Sequence, residues 1–347
     1  MGVLILNREQ IKEVIDMREV IEKVRGVYQL KSQGQTVIWP LVNHEFDEAD
    51  AAMDIRSGYV KGEQLHGLKM LNNFPHNVEK GLQPFNGIML VYDSDTGIPI
   101  GIMDASYITC MRTGAAGALG VDTLARKDAK NLMLLGAGKQ APFQIAATLI
   151  LRPELEKVYI VDPVNYPQAQ GLAARIKDQL KEEFKVNADN VEFIAEESIE
   201  KATREADAII TVSRAMQPMI MKDWVKPGTH LSCLGSDMEG KQELDPEVLV
   251  GAKIYTDDKK QCIRVGEIEL ALKAGVITED TAVLHVEKAN GEIRGLYTAI
   301  NKEFAAHAWD DVVYLNREED MGVEGLRRAK ESYHPEFMFK KYSVVIS

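Results

Sequence analysis

The sequence predicts an α/β protein in which a Rossmann-type, doubly wound parallel sheet is joined to an α+β substrate-binding and dimerisation domain. Three observations carry that expectation. From Leu132 onward, apolar runs of strand length alternate with segments of helical spacing, the rhythm of a parallel sheet with crossover helices. A glycine break, Gly136-Ala137-Gly138, separates the run Leu132 to Leu135 from a helical segment that opens at Pro142. Before that break the chain reads as successive strands, with Ser94-Asp95-Thr96-Gly97 as a hairpin signal between two of them.

Taken in order, Val3 to Leu6 reads as a short strand. Asn7 with Gln10 has the form of a capping box, and Asp16 that of a cap on a second helix carrying Val20, Ile21, Val24 and Val27. TVIWPLV, AAMDIRSGYV, GLKMLNNF, GIMLVYD and IPIGIMD follow as strands of a mostly antiparallel sheet. Ala105 to Leu119 is a helix rich in small residues with one charge, Arg112, either snorkelling at a surface or aimed at an anion. After the glycine break come helix 168–184, strand 191–194, helix 198–206 and strands 208–212, 229–234 and 253–256, then helix 267–274. Beyond Gly295 the pattern becomes irregular, and the tail is expected to return to the first domain. The division this implies is 1–118 plus 309–347 for the substrate and dimerisation domain, and 119–308 for the nucleotide domain.

The glycine turn reads G-x-G-x-x-A, with Gly136, Gly138 and Ala141 in the key positions. A turn of this kind lets backbone N–H groups approach a pyrophosphate with a helix N-terminus behind them. Asp162 ends the next apolar run, Val158 to Val161, where a carboxylate can hold a ribose 2′-hydroxyl. No arginine follows until Arg175, so the expected cofactor is NAD rather than NADP.

At 347 residues with 45% hydrophobic content, the chain can build about two domains with real cores. A balance of 41 basic and 53 acidic side chains gives −12, which argues against a nucleic-acid or anionic-membrane partner. Cys110, Cys233 and Cys262 have no metal-type spacing and are expected as free thiols in a reducing compartment. The start is neither a signal nor a transit peptide in form, and no apolar run reaches membrane-spanning length, so a cytoplasmic protein is expected. His66, His76 and His230 offer no metal motif, and Cys233 reads as buried rather than nucleophilic.

MRTGAAGAL (111–119) followed by LLGAGKQA (134–141), with GLKML (67–71), the 93–109 segment, YIVDP (159–163) and CLGSDMEGKQEL (233–244), resembles the ornithine cyclodeaminase and mu-crystallin family. The resemblance implies an NAD(P)-dependent enzyme acting at the alpha carbon of small amino or imino acids, usually a homodimer built through the non-nucleotide domain. It places Lys69 and Asp237 as catalytic residues, Asp237 being the acid/base, with Lys69, Arg112 and Asn77 at the substrate. It places Arg112, Gly136, Gly138, Lys139, Gln140, Asp162, Ser213, His230, Leu231, Ser232, Cys233 and Lys241 along the cofactor. An ornithine cyclodeaminase-like reaction is the first expectation. Alanine dehydrogenase-like or ketimine reductase-like redox, or a nucleotide-binding protein without turnover, are the alternatives.

The chain also departs from the family pattern. No Arg or Lys stands between Lys31 and Arg56, where an early arginine usually supplies a second carboxylate ligand. Pro84 replaces a hydroxyl residue, and the family's later GR and aspartate-rich stretch is hard to find in the tail. With that arginine missing, a wider or more apolar pocket beside Trp39, His44 and Phe85 is expected. A cationic substrate would need an acidic partner, which Asp54 or Glu45 could supply, whereas a tail arginine such as Arg317 clamping the substrate carboxylate would replace the missing arginine and overturn the expectation of a relaxed pocket.

Overall fold

The computed structural model of the chain describes residues 2–46, 51–277, 281–283 and 314–316. The chain divides into two compact units, Met1–Asp245 with Asp257–Glu267, and Pro246–Thr256 with Ile268–Ser347. Both large sheets lie in the first.

Strand β1 (Leu4–Leu6) leads into α1 (Arg8–Val14), where the capping box forms in full: Asn7 and Gln10 each accept the other's backbone N–H. Asp16 caps α2 (Met17–Ser32) by accepting the Arg18 N–H at 2.8 Å. The first sheet adds β2 (Thr36–Ile38), β3 (Val42–Phe46), β4 (Ala51–Val60), β5 (Leu65–Asn73), β6 (Phe85–Asp93) and β7 (Pro99–Asp104). Their order is β1-β7-β6-β5-β4-β2, with β3 also on β4, and every pairing is antiparallel except β1 with β7. TVIWPLV is therefore two strands rather than one. Pro40 has no N–H for a ladder, and the chain breaks there before pairing with β4 again. The hairpin after β6 forms as expected, with the Asp93 carboxylate accepting from Asp95 and Thr96.

Register sorts this sheet into two faces. Arg56, Lys69 and Met89 lie in one cross-strand row. Leu71, two residues along from Lys69, points with it toward Ala105, at the start of helix α3 (Ala105–Leu124). The opposite face carries Val42, Ile55, Met70 and Ile88 in one row. Val42, Met70 and Ile88 there are 52%, 36% and 54% exposed, an apolar stripe left open to solvent.

The second sheet comprises β8 (Asn131–Leu135), β9 (Lys157–Val161), β10 (Glu192–Ala195), β11 (Ala208–Thr211) and β12 (His230–Cys233). Between them run α4 (Ala141–Leu151), α5 (Tyr166–Phe184) and α6 (Ile199–Glu205). The strands are all parallel in the order β10-β9-β8-β11-β12. Leu132, Met133, Leu134 and Leu135 are wholly buried, as a strand covered on both faces must be. The chain order reverses beside β8, so the crevice for a ligand opens at the carboxyl ends of β8 and its neighbours.

Helix α3 is longer than its sequence suggests, and it runs unbroken across residue 118, where the expected domain division falls. A Cβ on Gly114 would stand 2.6 Å from the Phe143 carbonyl oxygen, and one on Gly120 would stand 2.4 Å from Ser232 Oγ. Only glycine lets α3 lie that close to α4 and β12.

The expected strand 253–256 does not form. Ile254 and Tyr255 stay exposed, and among the described residues the parallel sheet ends at β12. Helix α7 (Lys259–Cys262) completes the first unit. The second unit holds α8 (Glu269–Lys273), shorter than the expected 267–274 helix, and a parallel pair, β13 (Thr281–Val283) with β14 (Tyr314–Asn316). Apart from β14, the expected return of 309–347 lies outside the described residues.

Candidate active site

The glycine turn is held from beneath before any ligand arrives. Gly136 N–H donates to the Val161 carbonyl at 2.8 Å, and Ala137 N–H donates to Asp162 Oδ2 at 3.1 Å. Gln168 Nε2 donates to the Ala137 carbonyl at 3.0 Å. Gly136 adopts φ +107°, and a Cβ there would meet the Val212 carbonyl oxygen at 2.9 Å. Gly138, by contrast, has nothing within 4 Å of where a Cβ would be. That open space at the start of α4 is where a pyrophosphate would sit. The buried Gln140 Oε1 beside it has no hydrogen-bond partner among the described residues. Lys139 Nζ lies 5.1 Å from the centre of the Phe85 ring. Burial pulls the Lys139 pKa down. Asp162, at the end of β9, puts a carboxylate where a ribose hydroxyl is held and a 2′-phosphate is repelled. These residues fit a dinucleotide without a 2′-phosphate.

On the first sheet, Lys69 is buried at 9% exposure. Its pKa is lowered to about 7, first by loss of hydration, then by Arg112 and Arg56, with Asp54 working against them. Arg56 stands directly across from it, β4 to β5, and pairs with Asp54 at 3.2 Å. Arg112, halfway along α3, is exposed to solvent and lies within electrostatic reach of Arg56, Tyr28, Asp237 and Asp257. Loss of hydration pulls its pKa down first, then Arg56 does the same, while Tyr28, Asp237 and Asp257 act in opposition. The like charges of Arg56 and Lys69 beside it favour the anion-seeking reading of Arg112 over the snorkelling one. Lys69, Arg56, Arg112 and Asp237 thus share one electrostatic neighbourhood.

Asp237 sits in the loop after β12, at the carboxyl edge of the second sheet. Its side chain is exposed and ion-paired to Lys241, Oδ1 to Nζ at 2.6 Å. The pairing brings together two residues that the resemblance placed in the site. Ser213 follows β11 at the same edge, and its N–H donates to Glu243.

Other expected positions fall elsewhere. His230 Nε2 donates to Ser232 Oγ at 2.8 Å, and that hydroxyl donates to the Gly117 carbonyl at 3.1 Å. Residues two apart on a strand share a face, so both turn into α3 and away from the crevice. Burial lowers the His230 pKa to about 4, which leaves the ring neutral. Leu231 and Cys233 belong to the other face of β12, and burial raises the Cys233 thiol well above its ordinary range, consistent with an inert role. The Asn77 amide donates to the Gln83 carbonyl at 3.1 Å and closes its own loop. Trp39 and His44 make ring contacts with His66 and Phe46. Arg317 lies outside the described residues. Among the described residues no group of His, Cys, Asp and Glu could hold a metal ion.

Sequence reasoning missed three residues. Arg56 lies beyond the early strand where the family arginine is expected, yet β4 and β5 fold symmetrically about the turn at Lys61–Glu63 and place it opposite Lys69. The premise for a relaxed pocket therefore fails. Glu243, buried, and Glu267, half-buried, hold the two residues before Asp237; Glu243 falls inside the 233–244 segment without standing out in it, and Glu267 belongs to no motif.

Residues 2–295 match the ornithine cyclodeaminase/mu-crystallin family. Residues 262–345 also match the C-terminal region of phosphatidylglycerol lysyltransferase. That second match coincides with the tail in which the first family's later motifs are hard to find. Alanine dehydrogenase of Archaeoglobus fulgidus is 34% identical over 279 residues, covering 80% of each chain. Among solved structures, an archaeal alanine dehydrogenase dimer with bound NAD superposes with a TM-score of 0.72 at 32% identity, over 80% of this chain and 81% of that one. The Δ1-pyrroline-2-carboxylate reductase of Thermococcus litoralis, in complex with NADH and L-proline, gives 0.72 at 29% identity, over 80% and 83%. No helix among the described residues is long and apolar enough to cross a membrane.

Proposed function

The chain belongs to the ornithine cyclodeaminase/mu-crystallin family, and on that premise we propose that it is an NAD-dependent oxidoreductase acting at the alpha carbon of a small amino or imino acid without a cationic side chain. The observation that carries this reading is the cross-strand pair Arg56 and Lys69 beside Arg112. Three neighbouring cations suit a carboxylate, and they repel a second ammonium of the kind ornithine or lysine carries. Asp54, the carboxylate that would hold such an ammonium, is already engaged by Arg56.

Gly138, the start of α4 and Asp162 would hold the pyrophosphate and ribose of NAD, which when bound exchanges a hydride with the substrate's alpha carbon. Arg56 and Arg112 bind the substrate carboxylate and fix its orientation. Lys69, with its pKa near 7, can give or take a proton at neutral pH. Asp237, at the other wall, moves the proton of the substrate nitrogen or of attacking water, and Lys241 steers its carboxylate.

The protein works as a homodimer. The exposed row Val42–Ile55–Met70–Ile88 supports a face-to-face contact through the first sheet, in keeping with the dimeric archaeal structure. It acts in the cytoplasm, a reading supported by three unpaired thiols. The test is NADH absorbance with alanine, pyruvate plus ammonia, cyclic imino acids, ornithine and lysine. Turnover of an uncharged substrate and none of ornithine is expected. Nucleotide binding without turnover of any of them would overturn the enzyme reading in favour of a binding protein.

A further inference from the structure

At the carboxyl edge of the second sheet, one buried carboxylate joins two strand ends. Glu243, wholly buried, accepts the Ser213 N–H through Oε1 at 2.8 Å and the Gly235 N–H through Oε2 at 3.1 Å. Ser213 follows β11 and Gly235 follows β12. A Cβ on residue 235 would lie 2.3 Å from Glu243 Oε2, so glycine there is what admits the carboxylate. Glu243 is held in turn: Glu267 Oε1 accepts the N–H groups of Glu243 and Leu244, at 2.9 and 2.5 Å. Oε2 of Glu267 accepts the Ser236 hydroxyl at 2.5 Å. The two residues that precede Asp237 are thus tied to the two glutamates, one each. On the other side, Val212 and Ser213 press against Gly136 of the nucleotide turn.

Burying two carboxylates this close is unfavourable, and burial raises both pKa values. A core built only for stability would place apolar side chains here. An amide or a hydroxyl offers a single acceptor oxygen, whereas a carboxylate offers two and so reaches both strand ends, Oε1 to one and Oε2 to the other.

The geometry points to Glu243 and Glu267 as positioning residues that set the Asp237 loop at a fixed place relative to the nucleotide turn. The inference rests on the reading of Asp237 as the acid/base. Neither glutamate touches the reacting atoms. They act through Gly235, Ser236 and Ser213.

Glu243→Gln tests it. The amide keeps one oxygen for one N–H and turns its NH2 group toward the other, so one strand end loses its acceptor. In the full chain without nucleotide, amide hydrogen exchange in 211–216 or 233–239 is expected to rise about tenfold or more, with other core segments unchanged. In Glu267→Gln the oxygen stays on the two backbone N–H groups and the NH2 group donates to Ser236 Oγ. Exchange there is expected to stay within about threefold. Where turnover is measurable, Glu243→Gln lowers kcat about tenfold or more while KM for the nucleotide moves less than about threefold. Exchange within threefold of the native chain in both segments overturns the proposal, and so does a rise spread evenly over the core. Should Glu243→Gln fail to fold, Ser236→Ala carries the same exchange test at 233–239. Absence of turnover in the native chain would remove the redox reading and leave the exchange result standing.

Discussion

Arg56 and Lys69 face each other across β4 and β5, and the guanidinium helps push the amine's pKa down to about 7. Two effects follow from replacing Arg56 with Met. Loss of a charge-assisted contact to the substrate carboxylate raises KM about 10- to 100-fold. Removing a like charge raises the Lys69 pKa, so the inflection of kcat/KM assigned to Lys69 moves to higher pH. A pH–rate profile of Arg56→Met that kept its inflection near 7 would separate the two residues.

Lys69 is costly to the fold. Its folded pKa lies near 7 and its unfolded value near 10.5, so between those limits the unfolded chain binds more protons. Stability therefore rises with pH through that window, and the cost of the buried ammonium is greatest below pH 7. Lys69→Met is expected to lower turnover by at least about 10²-fold and to raise the melting temperature, more at pH 6 than at pH 9. Melting curves at the two pH values decide it. An unchanged or lowered melting temperature at pH 6 contradicts the assignment.

His230 works in the opposite pH range. It is neutral in the fold with a pKa of about 4 against an ordinary 6.5, so acid charges it more readily in the unfolded chain. Its contribution to stability is complete above about pH 6.5 and is lost as pH falls toward 4. His230→Gln keeps a donor for Ser232 and removes the titration. Thermal melting followed from pH 7 to pH 4 is expected to decline less steeply in the variant.

The two glycines of the nucleotide turn have separable roles. Gly136→Ala forces a side chain into φ +107° and onto the Val212 carbonyl, a strain of about 1–3 kcal/mol that lowers stability as well as NADH binding. Gly138→Ala meets nothing in the protein and is expected to melt like the native chain. Its methyl group occupies the space left for the pyrophosphate, so NADH fluorescence titration should show at least tenfold weaker binding. Equal nucleotide affinity in Gly138→Ala would place the pyrophosphate elsewhere.

The features that could be read from sequence are the local ones. The Asn7–Gln10 capping box, the Asp93 turn, the buried run before Gly136 and the carboxylate that ends β9 each depend on residues close together in the chain. Arg56 depends on hairpin register, which is set by the turn at Lys61–Glu63 and not by any motif around the arginine itself. His230 and Ser232 adjoin the recognised loop in sequence, but strand alternation turns them into α3, a distinction that requires knowing which face the helix covers. Glu243 and Glu267 meet only because two loops close over each other, and nothing in their spacing announces it. The short apolar run 253–256 predicts a strand but pairs with nothing among the described residues.

Helix α3 constrains how this protein could have been assembled from parts. It starts on the cap that Asp104 provides at the end of β7, carries Arg112 at its middle, and lies against Phe143 and Ser232 through Gly114 and Gly120. Exchange of the first sheet for another module would sever a 20-residue helix or carry its glycine contacts into a partner not shaped for them. The two sheets are therefore coupled through one helix, as a single cassette. The second family likeness begins only at residue 262, downstream of α3 and both sheets, and overlaps the first as far as residue 295.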